Sequence, residues 1–129
     1  MENKLNILII DDENIVGKRL KPALEKKGDS VECFVDSRKA LERFDEKKFD
    51  IVVTDIRMDD IDGLEVLEHV TSRSKHTKVI MITGYATVEV ARQAMAKGAF
   101  DFIAKPFKPN DLRAIIEKAS KELRSEVSD

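Results

Sequence analysis

Short apolar runs alternate with amphipathic stretches along the whole chain. Ile7-Leu8-Ile9-Ile10 is rich in branched residues and ends abruptly at Asp11-Asp12, the pattern of a strand covered on both faces. Behind it Val16, Leu20, Ala23 and Leu24 recur at helical spacing, the stripe of a helix laid against a sheet. Pro22 is predicted to kink that helix or remove one of its hydrogen bonds, and Gly28 to stop it. Residues 31–35 supply a shorter second strand, and Ser37 stands where it would cap a helix carrying Ala40, Leu41 and Phe44. Ile51-Val52-Val53-Thr54 then runs into Asp55, a third strand broken by an acid, followed by a loop and a helix opened by Gly63 and bearing Leu64, Val66 and Leu67. The fourth unit is Val79-Ile80-Met81-Ile82, ending at Thr83-Gly84, with a helix marked by Val88, Ala91, Ala94 and Met95 and closed by Gly98. The fifth is a strand over 100–104, in which Phe100 and Phe102 share a face, then Lys105-Pro106 and a helix bearing Leu112, Ile115, Ile116, Ala119 and Leu123.

Strands alternating with helices in this way imply a parallel sheet joined by right-handed crossovers, with helices on both faces. The prediction is an α/β, doubly wound, five-stranded parallel sheet with five helices, in the flavodoxin-like order 2-1-3-4-5. Chemistry in such sheets collects outside the carboxyl ends of the strands, where the strand order reverses. The residues that follow the apolar runs are Asp11 and Asp12, Asp55, Thr83 and Lys105, and the fold would bring them to one rim. Strand two offers only Asp36, at the edge of the sheet.

Each of these residues has a plain structural role open to it. Asp12 fits a cap of the first helix, although capping does not account for two adjacent acids. Asp55 fits an ordinary turn, and Thr83 before Gly84 a turn or cap. Three carboxylates gathered at one rim repel unless a cation holds them, and an all-oxygen, histidine-free set selects a hard ion such as Mg²⁺. Lys105 can neutralise the acids or receive a phosphoryl oxygen, and the two roles are compatible. The peptide before Pro106 is open to cis or trans.

Composition narrows the classes. At 129 residues the chain has the size of one domain, and 42% hydrophobic residues suffice for a core. Charged residues make up 37%, well above the ~25% of an average soluble protein. Lys and Arg number 23 against 25 Asp and Glu, a formal charge of −2 with no basic tract, so direct nucleic-acid binding is not expected. Cys33 is the only cysteine, which rules out a disulfide within the chain and a cysteine-ligated zinc site, and it is expected to pack in strand two. No apolar run approaches the ~20 residues of a membrane span, and neither membrane association nor a secretory leader is expected. A cytoplasmic location follows as an expectation.

The set Asp11-Asp12, Asp55, Thr83 and Lys105-Pro106, with gaps of 43, 28 and 22 residues between Asp12, Asp55, Thr83 and Lys105, resembles the receiver domain of bacterial two-component response regulators. Thr83-Gly84-Tyr85-Ala86 and the run from Gly98 through Phe107 further resemble receivers of the nitrogen-regulation type, which usually precede a transcription-activating ATPase. The resemblance implies that Asp55 is the nucleophile that takes a phosphoryl group from the phosphohistidine of a sensor histidine kinase. It implies Mg²⁺ held by Asp12, Asp55 and the main-chain carbonyl of Arg57, with Asp11 ordering water. Lys105 and Thr83 would contact phosphoryl oxygens. Phe102 would turn into space vacated on the Thr83 side, reshaping helix four, strand five and helix five toward an output domain, a downstream protein or a phosphorylation-linked homodimer. Arg57 and Tyr85 would tune hydrolysis of the acyl phosphate. The domain would run over 1–123, with 124–129 a polar tail or the start of a linker. It would act on transcription as a phosphoacceptor that assists only its own phosphorylation and dephosphorylation, not as an enzyme on other substrates.

The remaining motifs carry less. His69 and His76 read as solvated surface. Met58 to Gly63 is rich in acids but lacks the later glutamate of the twelve-residue calcium loop, and reads as the loop beside the site. A haloacid-dehalogenase-like phosphatase would want an acid two residues after Asp55, where Arg57 stands. A flavodoxin-like carrier needs a phosphate-binding loop after strand one, where Asp11-Asp12-Glu13 would repel phosphate, and no dinucleotide fingerprint is present. A docking module of the same fold that works without phosphorylation is the remaining alternative.

Overall fold

In the computed structural model, which describes residues 4–84 and 87–128, the alternation resolves into ten elements in strict order. They are β1 (Asn6–Ile10), α1 (Asn14–Glu25), β2 (Ser30–Phe34), α2 (Ser37–Glu46), β3 (Ile51–Asp55), α3 (Gly63–Arg73), β4 (Lys78–Thr83), α4 (Val88–Ala96), β5 (Asp101–Ala104) and α5 (Pro109–Ser128). The strands form one parallel sheet in the expected order β2-β1-β3-β4-β5, with Ile9 opposite Val53, Thr54 opposite Met81 and Ile82 opposite Ile103. Every residue of β3 is buried, as a central strand covered on both faces requires.

Alternation along the strands divides the core in two. Ile7, Ile9, Ile51, Val53, Ile80 and Ile82 pack with Leu20 and Leu24 of α1 and Leu112, Ile116 and Ala119 of α5. Leu8, Ile10, Val52 and Met81 pack on the other face with α2, α3 and α4 through Phe44, Val66, Val70, Ala91 and Ala94. The helix stops at Gly28 and Gly98 fall where expected, both at positive φ, 95° and 107°, where a Cβ would be strained. α1 runs unbroken through Pro22.

Several local expectations are corrected. β2 begins and ends one residue early, and Val35 lies outside it, 51% exposed. Asp36, not Ser37, caps α2, accepting from the Lys39 amide at 3.2 Å. The Ser37 hydroxyl accepts instead from the Ile61 amide at 3.2 Å and reaches the Asp59 carbonyl at 3.4 Å, pinning the loop after β3. On α4 Ala91 and Ala94 face the sheet while Val88 and Met95 lie at the surface. Phe100 precedes β5 and packs with the α1/α5 side, whereas Phe102 packs with the opposite side, so the two do not share a face. α5 does not end near Leu123 but continues to Ser128, its last turns held by Lys78, whose ammonium lies 2.5 Å from Glu126 and 3.4 Å from Glu122. His76 is exposed as expected and reaches Glu126 at 3.3 Å. His69 is not simply solvated, since its ring meets Phe44 edge-on and bonds Asp45 at 2.9 Å, joining α3 to α2. Among the described residues no helix is long and apolar enough to cross a membrane.

Candidate functional site

The carboxyl ends of β1, β3, β4 and β5, neighbours in the sheet, carry the predicted residues to one rim. Asp55 closes β3 and Thr83 closes β4, while Asp11 and Lys105 directly follow β1 and β5. The first residue of α3 fixes how close that helix comes to the rim. The Gly63 amide donates to the Ile56 carbonyl at 2.7 Å, and a Cβ on Gly63 would lie 2.5 Å from the Asp55 carbonyl oxygen. Only glycine fits there. A capping box between Asp62 and Glu65 starts the helix at that point, with the Glu65 amide 2.9 Å from the Asp62 carboxylate and the Asp62 amide 3.2 Å from Glu65.

Charge is concentrated around Lys105. Its ammonium lies 3.2 Å from Asp55 Oδ2, 3.2 Å from Asp11 Oδ2 and 2.5 Å from Glu13 Oε1. The Lys105–Pro106 peptide is cis. Asp11 is 2% exposed, and its Oδ1 accepts from the Glu13 amide at 2.9 Å. Burial pushes the Asp11 carboxyl up to about 6; the Glu13 amide opposes this, Asp55 adds to it, and Lys105 opposes it in turn. Burial likewise raises Asp55, against the charge and hydrogen bond of Lys105 and the Ile56 amide, with Asp12 adding to the rise. Burial alone would lower the Lys105 ammonium, but the Glu13 hydrogen bond and the charges of Asp11 and Asp55 outweigh it and hold the lysine protonated.

Asp11, Asp12 and Asp55 each offer a carboxylate oxygen within 4.8 Å of the others. Asp11 Oδ2 is buried, and the Lys105 ammonium lies 3.2 Å from it. A buried oxygen in an all-carboxylate set, its charge shared with the Lys105 ammonium at 3.2 Å, fits a hard cation, which would relieve the repulsion among the acids. Asp12 is exposed and does not cap α1, whose N-cap is Glu13; it lines an open groove of about 500 Å³ with Ile56, Arg57, Met58 and Asp59. The loop of Met58 to Gly63 therefore does border the acidic cluster.

The other predicted residues separate. Thr83 is fully buried, and its hydroxyl does not face an acid in this structure. It donates to the Gly84 carbonyl at 2.8 Å and contacts the hydroxyl of Thr87. Phe102 is half-buried among the residues packed with α2, α3 and α4. Arg57 is exposed in the groove beside Asp12. Tyr85 lies outside the described residues. Asp36 is a helix cap, and Cys33 is half-buried on β2 with its thiol 3.7 Å from the Gly17 carbonyl. Glu13 and Thr87 are the residues that sequence reasoning missed. Glu13 stood in the acidic run and was legible as charge; Thr87 gave no signal apart from its hydroxyl four residues after Thr83.

Known proteins share this fold. The family described as the response regulator receiver domain matches residues 7–117. Regulatory protein AtoC of Escherichia coli strain K12 is 40% identical over 113 residues, an alignment that covers 88% of this chain and 24% of AtoC. A CheY-like response regulator receiver domain protein from Methanospirillum hungatei superposes with a TM-score of 0.90 at 31% identity, covering 96% of this chain and 99% of the other. NtrX from Brucella abortus superposes with a TM-score of 0.88 at 31% identity, covering 98% of this chain and 29% of NtrX. The chain thus spans roughly a quarter of the length of AtoC and of NtrX, and both bear out the likeness to the nitrogen-regulation type. With the family match, the sequence relatives and the fold in agreement, the chain belongs to the response regulator receiver domain family.

Proposed function

We propose that Asp55 is the phosphoacceptor of this receiver. The observation that carries the reading is the convergence of Asp11, Asp12 and Asp55 within 4.8 Å, with the Lys105 ammonium 3.2 Å from both Asp11 and Asp55. A carboxylate oxygen of Asp55 attacks phosphorus in line, the bond from phosphorus to the donor histidine nitrogen breaks, and the leaving imidazole keeps the electron pair and takes a proton from water. Asp11, Asp12, Asp55 and the Arg57 carbonyl would hold Mg²⁺, which when bound supplies charge to offset that on the transferring oxygens. Lys105 takes a second phosphoryl oxygen, exchanging its contact with Glu13 for one with the incoming group. Thr83 donates its hydroxyl to a third once it has left Gly84 and Thr87.

The receiver unit runs over 1–123, and 124–129 form a polar tail or the start of a linker, into which α5 extends as far as Ser128. Movement of Thr83 frees space for Phe102 and shifts α4, β5 and α5, the surface read by an output domain, a downstream protein or a second copy. Arg57 and Tyr85 set how readily water reaches the acyl phosphate. The donor is a sensor histidine kinase, the setting cytoplasmic, and the chain turns over nothing beyond its own phosphoryl group.

Incubation with Mg²⁺ and acetyl phosphate, followed by intact mass spectrometry, tests this directly. The wild type should gain the mass of one phosphoryl group, and Asp55→Ala or omission of Mg²⁺ should abolish the gain. A wild type that stays unmodified, or an adduct that survives in Asp55→Ala, overturns the assignment, and the first outcome favours the docking module.

A further inference from the structure

Thr87 stands immediately before α4, where a threonine ordinarily accepts a hydrogen bond from an amide in the first turn. It makes no such bond. Instead the buried side chain turns back toward β4, donating to the Gly84 carbonyl at 2.9 Å and meeting the Thr83 hydroxyl. The same carbonyl accepts from the Thr83 hydroxyl at 2.8 Å and from the Thr87 amide at 2.9 Å. Each hydroxyl carries one proton, so the three contacts among Thr83, Thr87 and the Gly84 carbonyl share two protons. The Thr83 proton serves either Gly84 or Thr87.

Leaving this cluster costs Thr83 its local partners but orphans nothing behind it. Thr87 keeps the Gly84 carbonyl as acceptor, so no buried donor is stranded when Thr83 turns away. The structure holds Thr83 beside Thr87, and a released Thr83 would need a new acceptor for its proton, which a phosphoryl oxygen supplies. We propose that Thr87 is a positioning residue that holds the Thr83 hydroxyl away from the phosphoryl site in the unphosphorylated chain and so sets the threshold for switching. The inference rests on Asp55 being the phosphoacceptor and Thr83 its hydroxyl donor. Thr87→Val keeps the shape and removes the competing hydroxyl, while Thr83 and Gly84 still satisfy each other. Release of Thr83 then breaks one contact fewer, and a phosphoryl mimic binds more tightly by the fraction of molecules no longer held back.

The test is titration of beryllofluoride with saturating Mg²⁺ into the 129-residue chain, followed by amide NMR shifts of the residues around Asp55. Thr87→Val should bind roughly two- to tenfold more tightly than wild type, the range set by one net hydrogen bond, and Thr87→Ser should return to the wild-type affinity. In a Thr83→Ala background, Thr87→Val should change nothing, because the partner it restrains is gone. Equal affinity for Thr87→Val and wild type overturns the inference, as does an equal gain with and without Thr83. Should Thr87→Val not fold, Thr87→Ala is read against Thr87→Ser in its place with the same expectations. A wild type that binds no beryllofluoride overturns the phosphoacceptor reading itself and the inference with it.

Discussion

Lys105 decides the electrostatics of the rim. One ammonium lies within 3.2 Å of three carboxylates, those of Asp11, Glu13 and Asp55, and offsets part of their charge. A metal and Lys105 therefore compete for the same negative charge. Replacing Lys105 by Met should tighten Mg²⁺ binding by roughly tenfold, the order expected for removing one unit charge a few ångströms away, while phosphorylation by acetyl phosphate slows for want of a phosphoryl contact. Calorimetric Mg²⁺ titration of the variant beside the wild type decides it, and unchanged or weaker metal affinity contradicts the competition. Asp11, Asp12, Asp55 and Lys105 were legible in the sequence because each interrupts or follows an apolar run at a strand's end. Thr87 was not, because its role depends on how the chain turns after Gly84, and a hydroxyl four residues on reads equally as a helix cap. Glu13 was visible as a third acid, but its contact with Lys105 spans the gap from β1 to β5, which no local pattern records.

At the scale of elements, the junction of β3 with α3 holds Asp55, the proposed phosphoacceptor, in place. The helix starts so close to the strand that a Cβ at Gly63 would sit 2.5 Å from the Asp55 carbonyl and 2.7 Å from the Ile56 Cα, both backbone atoms that cannot swing aside. Gly63→Ala should therefore push α3 off the strand end, lower stability by about 1–3 kcal/mol as overpacking does, and weaken metal binding by displacing Asp55. Urea unfolding with and without Mg²⁺ checks both effects, and a variant as stable as wild type contradicts the close approach. The helical and strand periods placed all ten elements, since each buried face needs its own spacing. Ends were less legible. Asp36 and Ser37 are both good caps by composition, and the choice fell to Asp36 because Ser37 is engaged by the loop at Ile61. The last turns of α5 are polar and read as a tail, yet Lys78 on β4 anchors Glu122 and Glu126. Val88 and Met95 fit a helical stripe, but Ala91 and Ala94 took the inward positions against the sheet.

For the whole molecule, one sheet carries the acidic rim at its carboxyl edge, with helical layers packed on both faces. Thr83 and Phe102 lie on the neighbouring strands β4 and β5, and Phe102 packs on the side of the sheet that α4 covers, so the proposed switch would run from the rim to α4 along this strand pair. The parallel order and the rim were both legible because alternating strands and helices admit few topologies. The contacts of Thr83 with Gly84 and Thr87 were not, because they depend on how the chain turns after β4. Amide NMR spectra of the chain before and after phosphorylation with acetyl phosphate and Mg²⁺ test the central claim most directly. Capture of the phosphoryl group at Asp55 should move resonances at the rim and also through α4, β5 and the facing side of α5, leaving α2 and the amino ends of the strands unchanged. Shifts confined to the immediate neighbours of Asp55, or none at all, would contradict the account.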